Sequence, residues 1–166
     1  MRRLITLTIT MLALTSFMAI NSLAQNPHFI FCSANGGPTP PDGTLTVSFK
    51  ISGLGANETI TITLSATASG ADGCLNNGGN CPSAANKFGP VPASATGTFT
   101  SGKNGQITGA LSLSSPVTLS CPKGQTSVLV NITYTGVTVT APPAGKCDIP
   151  GTFAGNFFPN CVVPGA

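Results

Sequence analysis

Chemistry needs side chains that move protons, attack carbonyls or hold metals, and here they are few. The chain has one histidine (His28), four acids (Asp42, Glu58, Asp72 and Asp148) and six cysteines. As a general base, His28 would need an orienting acid and a nucleophile. No Gly-x-Ser-x-Gly elbow supplies the nucleophile. Two carboxylates facing a cleft could hydrolyse a glycoside. Such clefts are lined by sugar-stacking aromatics, and this chain has no Trp and one Tyr. Asp42-Gly43 reads as a turn and Glu58 as the start of a strand. The expectation is a protein that is not an enzyme.

One segment concentrates polar groups. Ser69 to Ala93 carries Asp72, Asn76, Asn77, Asn80, Asn86 and Lys87 among glycines and prolines, and reads as one long loop. These six residues are the candidate binding surface, since loops on a rigid scaffold are where such domains bind. Asp72, Asn76, Asn77, Asn80 and loop carbonyls offer the oxygen ligands that calcium takes. The spacing is not that of an EF-hand, and Asn/Gly clusters ordinarily make Asx turns. No cofactor is therefore expected, calcium being the one ion the donors would suit.

The cysteines are Cys32, Cys74, Cys81, Cys121, Cys147 and Cys161. Cys74 and Cys81 are too far apart in sequence for a zinc knuckle, and a single His adds little. An even count in an exported chain points to disulfides, with fifteen possible connectivities. Export is expected from the N-terminus. Met1-Arg2-Arg3 is a positive n-region, 4–20 an apolar run, and Ser22-Leu23-Ala24 a small-residue cleavage site. The reading is a signal peptide over 1–24 and a single secreted domain over 25–166, extracellular or periplasmic, with no membrane segment after cleavage.

The formal charge is +3 from seven basic and four acidic residues. Without Arg2 and Arg3, five basic residues face the four acids, a net of +1. That excludes the dense cationic face a nucleic-acid binder needs. Low charge with ample Val, Ile, Leu and Phe is also the opposite of a disordered composition.

The elements that must position these groups are strands. Leu45, Val47, Phe49 and Ile51 alternate with Thr46, Ser48 and Lys50, and Ile60, Ile62 and Leu64 alternate with threonines. With Gly53 to Asn57 between them, the two runs read as a hairpin. Thr96 to Ser101 and Ile107 to Leu113, joined by Gly102-Lys103-Asn104-Gly105, read as a second hairpin. Val117 to Ser120 reads as a short strand, Ile30-Phe31 as a first one and Thr152 to Phe158 as a last. Along Thr126 to Thr140 the apolar parity slips by one at Gly136, as at a bulge. The pattern predicts an all-β fold, an immunoglobulin-like antiparallel sandwich of about seven short strands, disulfide-stabilised.

Several pieces resemble a family of small exported bacterial proteins with no assigned activity. They are Asn26-Pro27-His28-Phe29, Leu45-Thr46-Val47-Ser48-Phe49-Lys50, Gly53-Leu54-Gly55, Cys74-Leu75-Asn76-Asn77-Gly78-Gly79-Asn80 and Ala84-Ala85-Asn86-Lys87. Gly97-Thr98-Phe99, Lys103-Asn104-Gly105, Cys121-Pro122-Lys123-Gly124-Gln125, and Tyr134 with Val137 complete the match. The resemblance implies a similar secreted all-β fold and a Cys74–Cys121 bridge. It leaves the other four cysteines as departures. For these the expected pairs are Cys32–Cys161, tying the two ends, and Cys81–Cys147, pinning the loop.

The functional expectation is a secreted binding or matrix protein with an extracellular ligand. The alternatives are a subunit that polymerises by strand exchange, with Pro27 to Phe31 as donor, and a small enzyme or inhibitor.

Overall fold

Alternating side chains close two antiparallel sheets onto one another. The computed structural model describes residues 26–81, 86–159 and 161, so the expected leader over 1–24 lies outside the described residues. Seven strands follow in chain order: β1 (His28–Ala34), β2 (Leu45–Ser52), β3 (Thr59–Leu75), β4 (Asn86–Thr100), β5 (Ile107–Leu113), β6 (Thr126–Ala141) and β7 (Gly145–Asn156). One sheet has the order β1-β2-β5 and the other β4-β3-β6-β7. The architecture is all-β and two-layered. Antibody constant-type domains divide their strands as 1-2-5-4 and 3-6-7; here β4 lies on the larger sheet.

Leu45, Val47, Phe49 and Ile51 are fully buried, as are Ile62 and Leu64 across from them. Phe49 meets Phe99 edge to face, with ring centroids 5.2 Å apart, the geometry aromatic quadrupoles prefer. The expected slip at Gly136 is present as a register shift between Thr135 and Val137. It lets Tyr134 and Val137 both point inward despite their odd spacing, and both are buried.

Both expected hairpins are instead arches between sheets. β2 pairs with β1 and β5, whereas β3 pairs with β4 and β6. Alternation tells a strand which face to bury, not which neighbour to bond, so a sandwich can satisfy the same pattern with crossings. The two arches brace each other. Leu54, in the first, is buried, and its N–H donates to the Gly105 carbonyl at 3.0 Å. Gly105 has φ +67° and a Cβ there would strike the Leu54 carbonyl oxygen, so only glycine allows this approach.

The long loop expected over Ser69–Ala93 is mostly strand. β3 runs on to Leu75 and β4 begins at Asn86, leaving only 76–85 as the connection. The prolines do not interrupt because β4 is an edge strand, where a missing N–H is tolerated. Val117–Ser120 forms no strand, and the last strand is β7, earlier and longer than Thr152–Phe158.

Three disulfides join Cys32 to Cys147, Cys74 to Cys121 and Cys81 to Cys161. Cys74–Cys121 is the expected bridge. The expected Cys32–Cys161 and Cys81–Cys147 pairs are corrected by an exchange of partners, and strand length explains it. Cys147 pairs across β6 with Val139, which pairs with Leu64 on β3. Cys81 follows the far end of β3, beyond Leu75. The eleven residues from Leu64 to Leu75 span about 36 Å of strand, out of reach of a disulfide. Cys161, past the end of β7, returns to that far end. Cys32 on the edge strand β1 meets Cys147 on the edge strand β7, closing one side of the sandwich.

Candidate functional site

The length mismatch between the sheets makes a site. β3 has 17 residues and β6 has 16, against eight in β2 and seven in β5. The larger sheet therefore overhangs the smaller by about 25–30 Å. Among the described residues no strand covers the overhang. Instead the chain before β2 and the segment after β5 lie over it, and a partly open cleft of about 370 Å³ remains between them.

Asp72 lies in the overhanging part of β3. It shares a strand face with Cys74, whose disulfide reaches Cys121 on the covering segment, and its register partner on β6 is Leu129. The intervening Gly73 faces the other way, where an added Cβ would sit 3.7 Å from Cys81 Sγ. Asp72 thus points into the space under the covering segment, and it lines the cleft. It is 4% exposed. Among the described residues its carboxylate has no hydrogen-bond or ion-pair partner, and burial pushes its pKa up from 3.8. None of its oxygens is sealed off, so the carboxylate opens onto the cleft.

A second acid lines the same cleft. Asp42 accepts a hydrogen bond from the Thr44 hydroxyl at 2.8 Å. Its turn is held close to the floor: Tyr134 donates from its hydroxyl to the Gly43 carbonyl at 3.1 Å. Gly43 has φ +68° and a Cβ there would lie 2.6 Å from the Leu129 side chain, so the turn requires glycine. Burial, with the nearby Asp42 charge, pushes the Tyr134 pKa up to about 12. Apolar walls come from Pro41, Val117, Val128, Leu129 and Phe158. Hydroxyls come from Ser114, Ser115, Thr118 and Ser127. Among the described residues no cationic side chain lines it.

The expected binding loop is dispersed by comparison. Asn76 turns its carboxamide oxygen onto the N–H groups of Gly78 and Asn80, each at 3.0 Å. That is an Asx turn, a structural use of the side chain. Asn77 and Asn80 are exposed at the same tip, and Asn86 and Lys87 are exposed at the start of β4. Asp72 points away into the cleft, which none of these asparagines lines, so the envisaged calcium donor set is not gathered. Among the described residues no three His, Cys, Asp or Glu side chains cluster as metal ligands.

The remaining chemistry-bearing residues lie apart. His28 is exposed, its Nδ1 2.8 Å from the Asn26 carbonyl oxygen. Asp148 accepts from the Thr138 hydroxyl at 2.8 Å on an outer face. Among the described residues Glu58 bonds only through its main chain, its N–H donating to Ser101 Oγ and its carbonyl accepting from the Ser101 N–H, each at 2.8 Å. The Asp42–Asp72 pairing escaped sequence reasoning. The usable signal was parity: with β3 extended to Leu75, Asp72 falls on the same face as Cys74.

No family model matches the chain, and no curated protein matches it. One solved structure, described as "X-ray structure of Northeast Structural Genomics Consortium target SoR45", has 10% identity and a TM-score of 0.18, over 85% of this chain and 93% of that one.

Proposed function

We propose that the protein is a secreted, non-enzymatic binding module that takes its ligand in the cleft beneath 114–118. The observation that carries this reading is the Asp72 carboxylate, without a partner among the described residues and buried yet open to a cavity. Burying a charge without a partner is costly, and a ligand group that pairs with it would offset that cost. Three disulfides support an oxidising compartment, as the N-terminal segment suggests. They also fit a rigid frame, which keeps a preformed cleft from collapsing.

The test is a small-molecule screen monitored by amide resonances. Hits are expected to move residues 42, 72, 114–118 and 127–129. Val117→Trp should block them while leaving the remaining resonances in place. Hits confined to the 76–80 tip would overturn the reading.

A second reading, self-association, is favoured by Ile30 and Phe31, 51% and 43% exposed on the edge strand β1. Strand donation by this segment is disfavoured, because Cys32–Cys147 ties β1 to its own β7. Association would have to use β1 as a docking edge. Sedimentation that stays monomeric at high concentration would remove this alternative.

A further inference from the structure

We propose that the cleft recognises a primary ammonium group carried on a short apolar stem. This rests on the cleft being a ligand site, and it adds the ligand's chemistry. The cleft holds two carboxylates and no cation among its described lining residues. Asp72, which has no partner among the described residues, can only accept once ionised, so the complementary ligand group is a donor, and a charged one gains most. Asp42 already takes one bond from Thr44 and adds negative charge at the rim.

The walls decide between a metal and an organic cation. Calcium wants six to eight oxygens in a compact shell. Here Val117, Leu129 and Phe158 share the lining with the acids, and apolar walls are of no use to a bare ion. They suit a hydrocarbon stem, and Phe158 brings an aromatic ring, a group cations favour, into the lining. A volume of about 370 Å³ lies at the small end of ligand cavities. Because the cleft is partly open, the stem can belong to a free amine or to a lysine side chain of another protein.

The experiment is titration of the full mature chain with n-butylammonium and benzylammonium, followed by amide shifts. n-Butanol and benzyl alcohol serve as uncharged counterparts. Both amines should move residues 72, 117 and 127–129, the alcohols should not, and Asp72→Asn should weaken amine binding by at least about tenfold. Nα-acetyl-lysine methylamide binding tighter than n-butylammonium would assign the stem to a protein lysine. Weaker binding would assign it to a free amine, and either order supports the proposal. Alcohols binding as well as amines, equally in wild type and Asp72→Asn, would overturn the ammonium assignment while leaving the cleft a binding site. So would calcium chloride alone moving the same residues when the amines do not. Silence from every probe, together with a screen that never touches the cleft, would overturn both readings.

Discussion

The two halves of the larger sheet are held by different means. Among the described residues twenty buried side chains form one continuous core, centred where β3 and β6 face β2 and β5 and reaching the overhang at Leu129. In the overhang the second core has three, Ala71, Val130 and Cys161, and two of the three disulfides lie there. The first half is stabilised by apolar burial, which scales with area. The second has too little area and is stabilised by cross-links that restrict the unfolded chain. The difference matters for function. A packed core leaves no room for an unpaired acid, whereas a cross-linked overhang tolerates a cleft and the Asp72 carboxylate within it.

Breaking the packed half should cost most. Phe49→Ala or Leu64→Ala is expected to lower global stability by about 3–5 kcal/mol, read by denaturant unfolding. Removing Cys74–Cys121 should cost less. Its 47-residue separation gives an upper figure of about 4 kcal/mol by chain entropy. The overhang can open on its own, so Cys74→Ala/Cys121→Ala should lose hydrogen-exchange protection mainly at 71–75 and 126–131. Equal loss throughout the packed half would show that the two regions are one cooperative unit.

Tyr134→Phe probes the junction between them. Losing its bond to Gly43 should cost about 1 kcal/mol, with resonance changes centred on the Asp42 turn. The single tyrosine also reports by titration. Its folded-state pKa is raised to about 12 against about 10 unfolded, so the neutral phenol is favoured in the fold. That contribution is complete below about pH 10 and is lost as pH rises toward 12. Phenolate absorbance appearing near pH 10 in folded protein would contradict the buried bond.

The smallest effect is expected at Asp72, and it has the opposite sign. Burial raises its folded pKa above 3.8, so just above that value the folded chain keeps a proton the unfolded chain has lost. Stability from this group falls as pH rises through the folded pKa and returns on acidification. Asp72→Asn should therefore stabilise at neutral pH by up to about 1 kcal/mol. The gain should vanish below the unfolded pKa. A destabilised variant at neutral pH would mean that the carboxylate has a structural role.

Much of the fold was legible in local pattern. The buried faces of β2, early β3, β5 and β6 from Ile132 onward follow from alternation, and the Gly136 slip marks the bulge; nothing local marked the second slip in β6, which buries Leu129 and Val130 in different clusters. The far half of β3 was hidden because Gly70, Gly73 and the prolines of β4 imitate a loop, although an edge strand accepts them. The Asn-rich tip was visible, but its meaning was not, since an Asx turn and a binding surface use the same residues. Asp42 and Asp72 stood thirty positions apart with nothing local to join them.

By itself, then, the sequence determined the all-β character, the inward parity of most clear strands, the cysteine supply and the scarcity of charge, Trp, Tyr and His. These depend on composition and on a period of two, both local properties. Only the tertiary structure decided which strands pair, how the remaining cysteines join and where two acids share a cleft. Those outcomes depend on contacts between distant segments. The same alternating strand buries the same face whether its neighbour is reached by a hairpin or by an arch.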